Sequence, residues 1–150
     1  MAYIKYKEIT KYFNFSKILD KSKLPKYVNE YVFEDETMLC AYKTITDHGI
    51  FTTSKIVLFD NYSLFGRKKQ IYTIPYNTIS TASIIFYPSS AELSLFLESG
   101  YPVRIKFINM KDIDKLRLRL LYTIVIKKIN NQKVTNEEID RLVKDDISLD

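Results

Sequence analysis

The clearest candidates for chemistry in this sequence are three consecutive cations, Arg67, Lys68 and Lys69, which follow Gly66 in a polar stretch. Neighbouring cations in an exposed turn can contact an anionic surface such as lipid head groups. Three charges in a loop are more commonly only solvated. Arg67, Lys68 and Lys69 are therefore a candidate anionic-surface contact, and we expect any membrane contact made by this turn to be weak.

Residues for catalysis or metal binding are scarce. The chain has one histidine, His48, and one cysteine, Cys40. A single imidazole provides neither a nucleophile–base pair with a third group nor a zinc-ligand set. Glu34, Asp35 and Glu36 are adjacent acids that lack the alternating spacing of a calcium loop, and we expect them to face water. We predict no enzymatic activity, no metal, no cofactor and no small-molecule substrate.

The charge pattern argues against a nucleic-acid partner. The formal net charge is +5, but basic segments alternate with acidic ones instead of forming one basic stripe. Near the N-terminus, Tyr3, Tyr6, Tyr12 and Phe13 are interleaved with lysines and could stack on single-stranded nucleic acid. Packing of a terminal arm is the more common use of such residues. We expect no nucleic-acid partner.

The sequence is compatible with the cytoplasm. One cysteine excludes an internal disulfide, and the N-terminal residues have lysines throughout and no apolar region typical of a secretory signal. The longest apolar run, Leu120–Ile126, is far shorter than the roughly 20 residues of a membrane-spanning helix. We expect a cytoplasmic protein.

Six strands are predicted from period-two alternation and turn residues. Gly49, Gly66 and Gly100 fall between predicted strands and are expected at hairpin turns. The first of these turns is Asp47-His48-Gly49. The predicted strands are Leu39–Ile45, Ile50–Phe59, Lys69–Pro75, Ile79–Tyr87, Ala91–Leu97 and Val103–Phe107.

Apolar residues recur at helical spacing after the last strand, which predicts a helix over Met110–Ile129 with Asn109 as its cap. Thr135 and Glu138 have the spacing of a capping box and predict a short tail helix. Two short helical pieces are predicted within Ser16–Tyr31. The residues before Ser16 fit a strand, a helix or a poorly ordered arm.

The C-terminal half of the long helix is apolar nearly all round, which a helix on the outside of a barrel does not require. One interpretation is that the N-terminal segment covers its second face. The other is a subunit interface. The candidate interface residues are Leu120, Leu121, Tyr122, Ile124, Val125 and Ile126.

The chain resembles the bacterial pleckstrin-homology-like domains. The resemblance rests on the acids Glu34–Glu36 before a strand, the FT-x-S-K-I-V-L-F-D phrase of Phe51–Asp60, and the turn Gly66–Lys69. It continues through Tyr72–Tyr76, with Ile79 and Ser80 behind it, and ends in Ala91–Leu97 and the long helix. The Ile-Pro-Tyr-x-x-Ile phrase is its most distinctive part.

This resemblance implies a mainly β (α+β) fold. The expected core is a partly open antiparallel barrel of about six to seven strands, capped by a long C-terminal helix. We divide the chain into an N-terminal helical extension (1–33), the barrel domain (34–129) and a C-terminal tail helix (130–150). The family also implies no catalysis and a tendency to form ring-like homo-oligomers, with any other protein partner unknown.

Phosphoinositide binding is not expected. Inositol phosphates need several converging cations, which eukaryotic domains of this fold place in the first hairpin loop. Here that loop is Asp47-His48-Gly49, which is short and contains an acid.

Overall fold

The computed structural model describes residues 12–15, 17–18, 24–44, 47–61 and 69–143. Nine strands and two α-helices are present in these residues. The strands are β1 (Tyr12–Phe15), β2 (Lys17–Ile18), β3 (Met38–Lys43), β4 (His48–Thr52), β5 (Lys55–Asn61), β6 (Lys69–Pro75), β7 (Ile79–Phe86), β8 (Ala91–Leu97) and β9 (Pro102–Phe107). The helices are α1 (Asp112–Ile129) and α2 (Asn136–Val143), and two 3₁₀ helices span Lys26–Tyr31 and Tyr76–Thr78.

The strands form two sheets, in the orders β2-β3-β4-β5-β6 and β1-β9-β8-β7. All the pairs are antiparallel except β1 with β9, which is parallel. Because β1 ends at Phe15 and β2 begins at Lys17, the chain joins the two sheets on one side. On the other side no pairing joins β6 to β7 in the described residues. The predicted mainly β, partly open architecture is confirmed.

The main core lies between the two sheets and beneath α1. It includes the inward-facing Leu93 and Leu95 of β8, Ile105 of β9, and Leu121 and Val125 of α1, all almost completely buried. The alternation of β8 and β9 matches the period-two pattern of their sequences, since every second side chain of a strand points to the same face. The turn between them is also as predicted, because Gly100 has φ +91°.

The predicted second strand, Ile50–Phe59, is wrong as a single element. It forms the end of β4 and the beginning of β5, with a tight turn at Thr53 and Ser54 between them. Ile50 pairs with Val57, and Phe51 with Ile56. Apolar residues lie on both sides of the break, so the two strands look like one long strand in the sequence. Contacts with distant parts of the chain hold the turn in place.

Gly49 does not form the predicted turn. It lies inside β4, where it pairs with Tyr42 on one side and Leu58 on the other. A Cβ at this position would lie 2.4 Å from the ring of Phe15. Gly49 is therefore needed for close packing of β1 against β4. Gly66 lies outside the described residues.

The N-terminal region is only partly helical. Lys17–Ile18 is a strand, so the predicted helical piece beginning near Ser16 is wrong there, because pairing with β3 provides hydrogen bonds to these residues. The second predicted piece is present as the 3₁₀ helix Lys26–Tyr31, which follows Pro25. Its Val28 is fully buried in a second small core against the other face of the five-stranded sheet.

Both C-terminal helices are confirmed, although the predicted cap of the first is wrong. Asn109 has φ +56° and precedes the helix, whereas the N-cap of α1 is Lys111, whose N–H donates to the carboxylate of Asp114. In α2, the Thr135 hydroxyl accepts the N–H of Glu138 at 3.1 Å, as the capping box predicts.

Candidate functional site

The carboxylate of Glu36 contacts four polar groups at the turn between β4 and β5. Its Oε1 lies 2.7 Å from Lys55 Nζ and accepts the Phe33 N–H at 3.0 Å. Its Oε2 accepts hydrogen bonds from the hydroxyls of Thr52 and Ser54, both at 2.5 Å. The Glu36 side chain is only 3% exposed, so the prediction that it faces water is wrong.

The hydroxyl of Thr52 forms the second layer of this cluster. Thr52 is fully buried, and its Oγ1 accepts the N–H groups of Ser54 and Lys55, both at 3.1 Å. The Tyr76 hydroxyl, from the second 3₁₀ helix, donates to the Thr52 carbonyl at 2.7 Å. The turn is thus held by the chain before β3 and by the corner after β6.

Lys55 is enclosed between a carboxylate and an aromatic ring. Its side chain is 8% exposed, and its Nζ lies 3.5 Å from the centroid of the Phe33 ring. That contact is a cation–π interaction, and the ring of Phe33 remains 61% exposed on its outer side. A cleft of about 390 Å³ adjoins the cluster and is also lined by Asn77 and Lys128.

Opposing effects set the acidity of Glu36. Burial raises the pKa of its carboxyl, but hydrogen bonds from Lys55, Ser54, Thr52 and the Phe33 N–H lower it more, so that the pKa falls from 4.5 to about 2. These partners bind the ionised form, which is why they favour it. The carboxylate stays charged and fully hydrogen-bonded.

This arrangement stabilises the fold and is unsuited to proton transfer. A general base works best with a pKa near the working pH and with a lone pair free for the substrate. Glu36 has neither, because its pKa is far lower and each of its oxygens already accepts from two donors. No group of three or more His, Cys, Asp or Glu side chains within the described residues could hold a metal ion.

The phrases that carried the sequence resemblance meet in this cluster. Glu36 ends the acidic run, Thr52, Ser54 and Lys55 belong to the Phe51–Asp60 phrase, and Tyr76 ends the Ile-Pro-Tyr phrase. Sequence reasoning found the phrases but not their convergence. The sequence feature that could have indicated this cluster is an acidic residue before one strand together with a Ser-Lys dipeptide between two later apolar runs.

The structure separates the six predicted interface residues into two groups. Leu121, Ile124 and Val125 are buried in the core of the chain itself and are not available to a partner. The other three, Leu120, Tyr122 and Ile126, are half-buried.

Helix α2 packs against α1. The Nζ of Lys127 lies 2.8 Å from Glu138 Oε1, which ties the two helices together. Ile139, Leu142 and Val143 of α2 pack on the main core. Tyr122 and Ile126 lie one helical turn apart on one flank of α1.

The predicted anionic-surface contact falls largely outside the described residues. Arg67 and Lys68 lie there, and Lys69 is the first residue of β6. His48 was predicted in a turn, but it is the first residue of β4 and pairs with Lys43 and Phe59. Its burial and the charge of Lys43 lower the pKa of the imidazole.

A second cavity, of about 230 Å³, lies at the open side of the barrel. It is lined by residues of β5, β6, β8 and β9, among them Leu58, Ile74 and Val103. Among the residues that the structure describes, those that line this cavity carry no charge.

Two layers of mostly antiparallel strands with a C-terminal helix over the core define a pleckstrin-homology-like domain. The family model described as Bacterial PH domain matches residues 7–125, so the chain belongs to the bacterial PH domain family. None of the described helices is both long and apolar enough to cross a membrane.

One curated protein is similar to part of the chain. The chain is 32% identical over 53 residues to the uncharacterized protein YjqA of Bacillus subtilis strain 168, a match that covers 35% of this chain and 42% of the relative. The match thus spans less than half the length of that relative.

Solved structures show the same fold. A DUF1696 family protein with a pleckstrin-homology domain from Shewanella loihica PV-4 aligns with a TM-score of 0.59 and 20% identity, over 78% of this chain and 98% of that one. A PH-domain-containing protein from Exiguobacterium sibiricum 255-15 aligns with a TM-score of 0.58 and 18% identity, over 80% of this chain and 63% of that one. A pleckstrin homology domain from Shewanella amazonensis SB2B aligns with a TM-score of 0.51 and 22% identity, over 76% of this chain and 90% of that one.

Proposed function

We propose that this PH-like domain is a non-catalytic interaction module that self-associates. The observation that carries the proposal is the surface of α1. Its apolar residues exceed what the described part of the chain buries, since Leu120, Tyr122 and Ile126 stay half-buried. A half-buried apolar flank on a helix favours contact with another apolar surface.

The polar cluster supports a non-catalytic role. Glu36 and Lys55 satisfy each other, and the remaining lone pairs of the carboxylate accept hydrogen bonds from the turn they stabilise. The Glu36 carboxylate therefore offers a substrate no free proton acceptor. The cluster instead gives the β4–β5 hairpin a fixed position, which an interaction surface on a small domain requires.

Self-association is tested by light scattering after size exclusion on the wild type, Ile126→Arg and Gln132→Arg. Ile126→Arg places a charge on the half-buried flank, whereas Gln132→Arg places the same charge on an exposed position after the helix. We expect the wild type and Gln132→Arg to elute as oligomers and Ile126→Arg as a monomer, because a charge in an apolar interface is costly to desolvate. Equal masses for all three proteins would remove α1 from the interface.

The second candidate function is a peripheral adaptor that binds anionic lipid head groups. It is favoured by the run Arg67-Lys68-Lys69 and by the basic N-terminal residues. Co-sedimentation with phosphatidylserine vesicles at low salt should then be lost when the three cations are replaced by alanine, and should weaken as salt is added. Vesicle binding that is absent at low salt rejects this function.

A further inference from the structure

Strand β7 is an open edge of the four-stranded sheet. It is eight residues long and stands at the end of the strand order, where β8 is its only strand partner in the described part of the chain. In an antiparallel pair, alternate residues direct their N–H and C=O groups away from the partner strand. About half of the backbone groups of β7 are therefore directed towards the open edge.

The sequence of this edge strand lacks the charges and prolines that often protect an end strand, and a bulge between Ile79 and Thr81 affects only its beginning. Charged residues, prolines and very short length discourage pairing with another chain. The sequence of β7, ISTASIIF, has no charge and no proline, whereas β6, an end strand of the other sheet, begins at Lys69 and ends at Pro75. The long edge of β7 is therefore suited to accept a further strand.

The side chains of β7 are also incompletely covered. Ile84 and Phe86 face the core but are only half-buried, although Leu93, which pairs with Ile84 on β8, is almost completely buried. On the outer face Ile85 is 51% exposed. An added strand would cover these apolar groups on both faces of the sheet.

The neighbourhood of this edge is basic. Helix α1 runs beside β7, and the Nζ of Lys115 donates a hydrogen bond to the carbonyl of Pro88, just beyond the end of the strand. The guanidinium of Arg119 is exposed and lies 5.3 Å from the centroid of the Phe86 ring. The nearest acid on β8, Glu92, is opposite Ile85 and also pairs in register with Lys106 of β9.

We propose that β7 binds an extended, acidic segment of a partner protein, which adds a fifth strand to the sheet. Backbone hydrogen bonds supply affinity in this mode, and alternate side chains supply specificity. Acidic side chains of the added strand would lie beside Lys115 and Arg119.

A second copy of this chain fits the edge less well. A second copy paired through β7 would place two copies of Lys115 and Arg119 beside the same edge, and like charges across an interface oppose association. The proposal is independent of self-association, because a monomer presents the same edge.

The test begins with synthetic fluorescein-labelled peptides of about ten residues, long enough to span a strand. One alternates valine with glutamate and its partner alternates valine with lysine. Fluorescence anisotropy with the full chain should show at least about tenfold tighter binding of the glutamate peptide. Glutamate peptides N-methylated at odd or at even positions then test strand pairing. One methylation register should abolish binding and the other should not, because only one row of amides faces β7.

Two double charge-reversal variants test where on the chain the peptide binds. The variant Lys115→Glu with Arg119→Glu should weaken binding of the glutamate peptide at least about tenfold. The control Arg104→Glu with Lys133→Glu changes the net charge equally at exposed positions on β9 and after α1, and should change affinity less than about twofold. Amide chemical shifts should move along β7.

Several results overturn the proposal. They are no binding of the glutamate peptide at millimolar concentration, equal effects of the two charge-reversal variants, and equal effects of the two methylation registers. Shift changes along β6 instead of β7 also reject it. Shift changes along β7 that depend on protein concentration and prevent peptide binding would assign the edge to a second copy.

Discussion

Replacement of Glu36 by glutamine gives the sharpest test of the polar cluster. The substitution keeps the shape of the side chain but removes the charge that Lys55 and two hydroxyls contact. The Lys55 ammonium then stays almost fully buried with only the Phe33 ring and a neutral amide beside it. Breaking one partner of a buried ion pair is strongly destabilising, because it leaves an uncompensated charge.

The magnitude follows from the acidity of Glu36. Its pKa is about 2 in the folded chain, against 4.5 for the free side chain. At about 1.4 kcal/mol for each pH unit, this difference corresponds to about 3 kcal/mol of stability. Because the folded pKa is the lower one, this stability is complete above about pH 5, falls to half near pH 3 and is lost below about pH 2.

Urea unfolding of the wild type, Glu36→Gln and Glu34→Gln measures this effect. Glu34 is exposed, so its substitution should change the free energy of unfolding by less than about 0.5 kcal/mol. Glu36→Gln should cost about 3 kcal/mol at pH 7, and its difference from the wild type should shrink steadily towards about pH 3. A cost for Glu36→Gln below about 0.5 kcal/mol, or one that does not change between these pH values, would refute the role assigned to the carboxylate.

Three further substitutions test the packing. Gly49→Ala should cost about 1–3 kcal/mol, because the new methyl group meets the ring of Phe15; a neutral effect in urea unfolding would contradict the close contact. Tyr76→Phe should cost about 1–3 kcal/mol, since it leaves the buried Thr52 carbonyl without its donor; no loss in thermal unfolding would show that the carbonyl has another donor. Leu142→Ala should cost about 2–5 kcal/mol if α2 belongs to the core; unchanged calorimetric stability would indicate that the helix is detached.

Strands and helices with a clear hydrophobic periodicity in their own residues were predicted well from the sequence. Strands β6, β8 and β9 and both α-helices lie within a few residues of their predicted bounds, because alternation and helical spacing are set by residues near one another in the chain. The turn at Gly100 was predictable for the same reason, since its positive φ favours glycine.

Elements that depend on distant partners were missed or, like the segment before Ser16, left with several alternatives open. Strand β1 is stabilised by parallel pairing with β9, about 90 residues away in the chain, and nothing in its own four residues identifies that partner. The break between β4 and β5 lies between two apolar runs and is held by Glu36 and Tyr76 from other parts of the chain. The residues next to Glu36 in the sequence do not predict its burial either, because its buried charge is compensated by the distant Lys55.

The candidate interface shows the same limit. Sequence periodicity identified a helix that is apolar nearly all round, but it could not assign each flank to a partner. The structure places Leu121, Ile124 and Val125 in the core. Leu120, Tyr122 and Ile126 stay as proposed contacts with a second copy.

Sedimentation-velocity measurement of the mass of the wild-type chain, over a wide range of concentration, tests the proposed self-association most directly. We predict a mass that is a whole multiple of 17.7 kDa at micromolar concentration and falls on dilution. A single species of 17.7 kDa at every concentration would contradict it.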